Sequence, residues 1–196
     1  MSNQPPNTDA RERVLQAAEQ LFAQRGYTAV TLRDIAAEVG IRHASLYHHV
    51  PGGKEELFVE VTERNFKRHA AGLHQAMTEA TPDVRSQLQA IANWLLSQPP
   101  MDLVRTMHSD MPAIDQAQAK RLSQLALESL IEPIHEALQH AAQRGEVQHD
   151  DLGLVAGGIL GMIEALYAVP DYAVTISRAA MAHALIDVLL DGLRPR

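Results

Sequence analysis

Apolar residues return every three or four positions along almost the whole chain, and that spacing gives a helix of 3.6 residues per turn one dry side. Val14, Leu15, Ala18, Leu21 and Phe22 make one such face, and Leu57, Phe58, Val61, Phe66, Leu73 and Met77 make another. The competing pattern is missing: no alternating β-branched runs, and no Asn-Gly or Asp-Gly hairpin turn between apolar segments. The chain therefore reads as all-α. Its 196 residues allow one good-sized core, or a small domain fused to a medium one, and 46% hydrophobic content suits a packed globule.

Punctuating residues divide the pattern into helices. The first spans about Thr8 to Arg25 and stops at Gly26, the residue type favoured just past a helix end. Thr31 and Asp34 have the spacing of a capping box with Asp in place of Glu, so a second helix starts near Thr31 and stops near Gly40. A third, short helix covers Arg42 to His49. Pro51-Gly52-Gly53 forces a turn, and Glu55 and Glu56 suit the first turn of a long fourth helix, Lys54 to about Glu79. Thr81-Pro82 reads as an N-cap with Pro at the first helical position of a helix that carries Leu88, Ile91, Trp94 and Leu95 and ends at Pro99-Pro100. A short segment with Val104 and Met107 is closed by Pro112. Residues 113–143 form a helix kinked at Pro133 and ended by Gly145. The last two helices start near Asp150/Asp151 and Asp171.

Charge is unevenly spread. The total is −7, yet residues 1–54 hold six Lys/Arg against five Asp/Glu, while residues 55–196 hold eleven against nineteen. A neutral-to-basic N-terminal part on an acidic remainder still permits a local phosphate-binding face. Cysteine is absent, which rules out thiolate chemistry and suits a reducing cytoplasm. The polar, Pro-containing start has no apolar core of a signal peptide, and no apolar stretch reads as a membrane span. There is no P-loop and no glycine-rich dinucleotide turn, so no catalytic residues and no cofactor are assigned.

The most informative segment is Thr31 to Val50, TLRDIAAEVGIRHASLYHHV. Two short helices crossing at a wide angle need a small residue where they touch, here Ala36. The turn needs a residue that accepts positive φ, here Gly40. The contact needs apolar residues at set offsets, supplied by Ile35, Val39, Ile41 and Leu46. All are met in one register, although Ala36, Gly40 and Leu46 also suit an ordinary helical hairpin.

These residues, with Phe22-Ala23-Gln24-Arg25-Gly26-Tyr27 before them and Lys54-Glu55-Glu56-Leu57 after, resemble the DNA-binding domain of the TetR family. The resemblance covers Arg11 to Leu57, about a quarter of the chain. Three departures stand out: Arg42 takes the place of the family's usual Ser or Thr cap, Val50 replaces a frequent Phe, and the Pro51–Lys54 turn is one residue longer than the commonest form. The resemblance implies a three-helix helix-turn-helix domain over 1–53 and a helical effector-binding and dimerisation domain over 54–196. It also implies site roles. Thr31 offers its hydroxyl and backbone N–H to a phosphate, and Tyr47 and Lys54 resemble further phosphate contacts, which position without reading sequence. Arg42, His43, Ala44, Ser45 and His48 face the major groove, with Arg42 suited to bidentate pairing with guanine and Ala44 to a thymine methyl. The implied partners are a palindromic operator in double-stranded DNA, a small-molecule effector and a second copy of the chain. Repression relieved by effector is the family's usual mode, and activation stays open.

Beyond the resemblance, ten histidines invite a metal reading. The close pairs, 43/48, 69/74 and 135/140, are five apart instead of the four that share a helix face, and no HExxH occurs, so no metal site is assigned. Trp94, Met101, Met107, Met111, Met162 and Tyr167 suit an adaptable apolar effector pocket with Arg105 and His108 as polar contacts; plain core packing is the alternative for each. In the last two helices, Leu152, Val155, Ile159, Ile163 and Leu166 form one stripe and Val174, Met181, Leu185 and Val188 another. Gly157, Gly158 and Gly161 allow close helix approach, which suits a homodimer contact or an intramolecular core. Two rival functions remain at this point, an all-α enzyme and a protein–protein adaptor.

Overall fold

The computed structural model describes residues 6–193, and all regular structure among them is helical. The chain divides into two compact units. The first comprises the residues up to Asn65 together with Asp102–Gln124, and the second comprises Phe66–Met101 and the residues from Leu125 onward. The sequence division at 53/54 differs from these units in placing both residues 54–65 and Asp102–Gln124 in the second part.

In the first unit, α1 (Pro6–Arg25) buries Val14, Leu15, Ala18, Leu21 and Phe22. Gly26 ends it at φ 78, where an L side chain is strained. The helix α2 (Leu32–Val39) and the short α3 (His43–Leu46) follow, and α4 (Gly53–Glu79) begins in this unit with Leu57, Phe58 and Val61 buried. Phe22 meets Phe58 edge-on at 5.3 Å and Tyr27 lies 4.9 Å from Phe58, so one aromatic cluster joins the end of α1 to the start of α4. Arg11 forks onto Glu60 at 2.8 and 2.7 Å, and Arg64 onto Glu12 at 2.7 and 3.0 Å. Both pairs are part-exposed and fix register more than they stabilise. The Asp102–Gln124 segment holds α6 (Leu103–Arg105), a π-helical turn at Thr106–Asp110, a 3₁₀ turn at Met111–Ala113 and most of α7 (Gln116–Ala126).

The second unit packs the later part of α4 with α5 (Val84–Ser97), α8 (Glu132–Gln143), α9 (Leu152–Ala165) and α10 (Arg178–Leu193). Phe66, Leu73, Leu88, Ile91, Ile134, Leu138, Ile159 and Ile186 form its core. Gly72 is where α4 meets the Trp94 indole: a Cβ there would stand 2.0 Å from Trp94 Cζ2.

Three sequence expectations change. The cap of α5 is Asp83, whose carboxylate accepts the Ser86 N–H at 2.8 Å, and not Thr81. Asp83 has the extended backbone of a cap, φ −113 and ψ 153, and the helix begins at Val84. The last helix starts at Arg178, not near Asp171; a single 3₁₀ turn occupies Asp171–Ala173, and the β-branched Val174-Thr175-Ile176 run that follows favours extended backbone. The α9 stripe faces inward: Ile159, Ile163 and Leu166 are buried within the protomer. The opposite face, Leu154, Gly158, Gly161 and Ala165, is exposed. At Pro133 the expected distortion takes the form of a π-helical turn, Leu127–Ile131, placed just before it; its extra residue absorbs the missing proline N–H.

Candidate nucleic-acid interface

The segment from Thr31 to Val50 folds as two helices held by matching end structures. At the start of α2, the Thr31 N–H and hydroxyl donate to Asp34 Oδ2 at 2.7 and 2.6 Å, and the Asp34 N–H returns to Thr31 Oγ1 at 3.2 Å. This is the expected capping box. The Thr31 hydroxyl, and then its N–H, hold the Asp34 carboxyl below its ordinary pKa. At the far end Gly40 sits at φ 74, ψ 30; its N–H reaches Ala37 O at 3.1 Å, and the Ile41 N–H reaches Ala36 O at 3.0 Å. That pair of bonds is a Schellman stop, and it requires the left-handed residue that Gly40 supplies.

Behind this turn Ile35, Ala36, Leu46 and Val50 are buried, with Ile35 and Leu46 at 0% exposure. The small Ala36 lets α3 pack against α2, as its place in the sequence predicts. Regular helix covers His43–Leu46 only, but the Val50 N–H still reaches Leu46 O at 3.0 Å, so helical bonding runs to Val50. Arg42 caps α3 with extended backbone and makes no side-chain cap bond, as expected of a side chain with no acceptor.

The sequence-assigned DNA contacts fall in two places. Arg42, Ala44, Tyr47 and His48 are exposed on α3 and its following turn, with His43 and Ser45 half-buried among them. Tyr47 is 48% exposed, and the His43 ring meets its ring edge-on at 5.2 Å, which steadies the tyrosine. Thr31 is exposed at the start of α2, with both donors turned onto Asp34. Lys54, at the start of α4, sends Nζ to Tyr27 O at 2.9 Å and lies 4.1 Å from the centroid of the Tyr27 ring.

The residues assigned to an effector pocket are divided between the units. Trp94, Met101, Met162 and Tyr167 belong to the second unit, and Arg105, Met107, His108 and Met111 to the first. The Tyr167 hydroxyl lies 2.8 Å from Leu95 O and 2.9 Å from Gln98 O, tying the end of α9 to the end of α5. Trp94 Nε1 is buried with no hydrogen-bond partner among the described residues. Arg105 sends its guanidinium to the backbone carbonyls of Phe22 and Ala23. Sequence reasoning missed Asp110, a carboxylate with only 2% of its surface exposed that accepts the Tyr27 N–H; with 83 positions between the partners, no local pattern announces it. Among the described residues, no group of three or more His, Asp or Glu is placed to hold a metal ion, and no helix is long and apolar enough to cross a membrane.

A capped α2, a glycine stop and an α3 with an exposed polar face define a helix-turn-helix protein. The family model for bacterial regulatory proteins of the tetR family matches residues 14–61. The transcriptional repressor KstR2 of Mycolicibacterium smegmatis is 35% identical over 115 residues, covering 59% of this chain and 52% of that protein. The TetR family regulator PfmR of Thermus thermophilus superposes with a TM-score of 0.72 at 25% identity, covering 93% of this chain and all of that one. AibR, solved in complex with isovaleryl coenzyme A and operator DNA, shares the fold at a TM-score of 0.73 and 18% identity over 95% of this chain and 98% of its own. The tetR family match lies on the helix-turn-helix and its flanking helices, and the fold as a whole is similar to that of solved TetR family regulators. It spans about half the length of the curated relatives it matches, 46%, 41% and 52% for three of them.

Proposed function

We propose that the chain is a sequence-specific DNA-binding regulator that acts in the cytoplasm as a homodimer, represses from a palindromic operator and is released by a small-molecule effector. The observation that carries the DNA-binding part is the exposed row Arg42, Ala44, Tyr47 and His48, on a helix that packs against α2 with Ile35 and Leu46 buried. Arg42, His43, Ala44, Ser45 and His48 read base edges, and the Tyr47 hydroxyl takes a phosphate. Lys54 keeps two of its three N–H donors for phosphate after the bond to Tyr27. The first-turn amides after Thr31 serve the same end.

The dimer contact is assigned to the open sides of α9 and α10. Leu154 is 69% and Val188 72% exposed, Leu185 is also exposed, and a Cβ added at Gly157, Gly158 or Gly161 would meet nothing within 4 Å. A two-fold four-helix contact would cover this face and set two recognition helices about 34–36 Å apart. The effector is assigned to the second unit, near Trp94, Met101, Met162 and Tyr167. The unanswered Trp94 Nε1–H and, two turns earlier on α5, the buried Gln87 Oε1 favour an apolar molecule with a hydrogen-bond acceptor and donor. AibR, with a coenzyme A thioester and DNA on the same fold, supports one chain doing both.

The test is selection of duplexes from a random pool by the full chain, followed by gel shift of the enriched palindrome. Arg42→Ala should relax selectivity at one position, by roughly 1–3 kcal/mol, while leaving non-specific binding nearly intact. Failure to enrich any duplex at moderate salt would refute the DNA-binding reading.

A further inference from the structure

The turn between α1 and α2 is held from three sides, all within the first unit. Asp110 Oδ1 accepts the Tyr27 N–H at 2.8 Å, and Lys54 Nζ donates to the Tyr27 carbonyl at 2.9 Å, so both backbone groups of one residue are fixed by side chains remote in sequence. Arg105 Nη2 donates to Ala23 O at 2.6 Å and to Phe22 O, which also accepts the Gly26 N–H, at 3.2 Å, and at this end of α1 a cation meets the negative end of the helix dipole. Arg105 Nε lies 3.6 Å from Asp110 Oδ2. The fit is close: a Cβ on Gly26 would stand 3.1 Å from both Arg105 Cδ and Asp110 Oδ1. Asp110 closes the π-helical turn Thr106–Asp110, and Asp102 caps its approach by accepting the Arg105 N–H at 2.9 Å.

The chain that carries Arg105 and Asp110 enters the first unit directly after Met101 and returns to the second at Leu125. Resting on the DNA-binding reading above, we infer that Arg105 and Asp110 are positioning residues for the helix-turn-helix: they strap the Gly26–Tyr27 turn to the Asp102–Ala113 segment, so that a displacement of this segment changes the placement of α2 and α3 without touching any DNA contact. Neither side chain is a base or phosphate contact. Each acts on DNA binding only through Tyr27 and the end of α1. The strap gives that segment a rigid purchase on the reading head, because a buried carboxylate bonded to an amide and faced by a guanidinium has one favourable arrangement and an expensive broken one.

Two readouts on the full chain separate this from its alternatives. Amide exchange measures the turn itself. Asp110→Ala should raise exchange of the Tyr27 amide at least ~10-fold and loosen residues 26–30, while Asp110→Asn, whose Oδ1 still accepts, should restore most of the protection. Binding to the duplex selected by the native protein measures the consequence. Arg105→Gln and Asp110→Ala should each change affinity at least ~3-fold with an unchanged slope of log affinity on log salt, because no phosphate contact is lost. A salt slope reduced by about one in Arg105→Gln would make Arg105 a phosphate contact and overturn the inference. Unchanged exchange at Tyr27 in Asp110→Ala, or unchanged affinity in both variants, would overturn it as well. If the native protein selects no duplex, the DNA-binding reading falls, and the exchange arm alone still decides whether the strap holds the turn.

Discussion

Leu46 and Tyr47 are neighbours in sequence with opposite surroundings, and substituting each in turn separates folding from binding. Leu46 is 0% exposed on a helix of four residues that packs against α2. Leu46→Ala removes three carbons from a site whose short helix cannot slide into the gap without breaking the turns that lead to Val50. The loss should fall in the range of about 3–5 kcal/mol for buried leucines that cannot be refilled, a hundredfold or more in the folded population of the first unit. Tyr47 is 48% exposed, so Tyr47→Phe keeps the edge contact with His43 and removes only a hydroxyl; its stability cost should stay below ~0.5 kcal/mol. On DNA the order reverses: Tyr47→Phe should weaken every duplex alike, by about 1 kcal/mol, for one lost phosphate bond. The assay is amide exchange over residues 32–50 beside gel shifts on matched and scrambled duplexes. A Leu46→Ala cost under ~1 kcal/mol would show that α3 does not pack as described. A Tyr47→Phe loss confined to the selected duplex would give Tyr47 a base contact instead of a phosphate.

Three further outcomes are expected. Gly72→Ala should lower the melting temperature and shift Trp94 fluorescence, because overpacking of about 1–3 kcal/mol against an indole carbon 2.0 Å away outweighs a helix-propensity gain of about 1 kcal/mol; a raised melting temperature would refute the close contact. Leu154→Asp with Val188→Asp should convert a dimer to a monomer in sedimentation velocity with the far-UV spectrum retained; an unchanged sedimentation coefficient would place the dimer contact elsewhere. The second unit should lose stability in acid. Asp83 is held below its ordinary pKa by the Ser86 amide and hydroxyl, and Glu146 by Arg144 and then the Val84 N–H. A depressed folded pKa adds stability that is whole above the unfolded value, about 4, and is lost as pH falls through the folded one, so Asp83→Asn with Glu146→Gln should flatten the melting-temperature profile below about pH 4.

Much of the first unit was legible in the sequence because its signals are local. Thr31 and Asp34 form the box that their spacing predicts, and Gly40 takes the positive φ that the turn demands. Ala36 and Leu46 are buried where two crossing helices require it. The errors have equally physical sources. A Thr-Pro pair and an Asp two positions further on are both good caps, and local spacing alone does not choose between them. Periodicity marked an apolar face on α9 but not which apolar face stays open, since Leu154 and the glycines also repeat at helical spacing. Lys54 and Arg105 show a further limit. Both are cations that composition sends to solvent, phosphate or ligand, and both turn to backbone carbonyls more than twenty residues away.

The Asp110–Tyr27 bond bears on transplantation. Cutting the polypeptide after Asn65, as a hybrid regulator made by fusing this reader to a foreign sensor would do, leaves the Tyr27 amide without its acceptor and the last carbonyls of α1 without Arg105. The portable piece is discontinuous: a working chimera has to carry residues 102–124 along with the N-terminal helices, or supply another loop that presents a carboxylate and a guanidinium to the same turn.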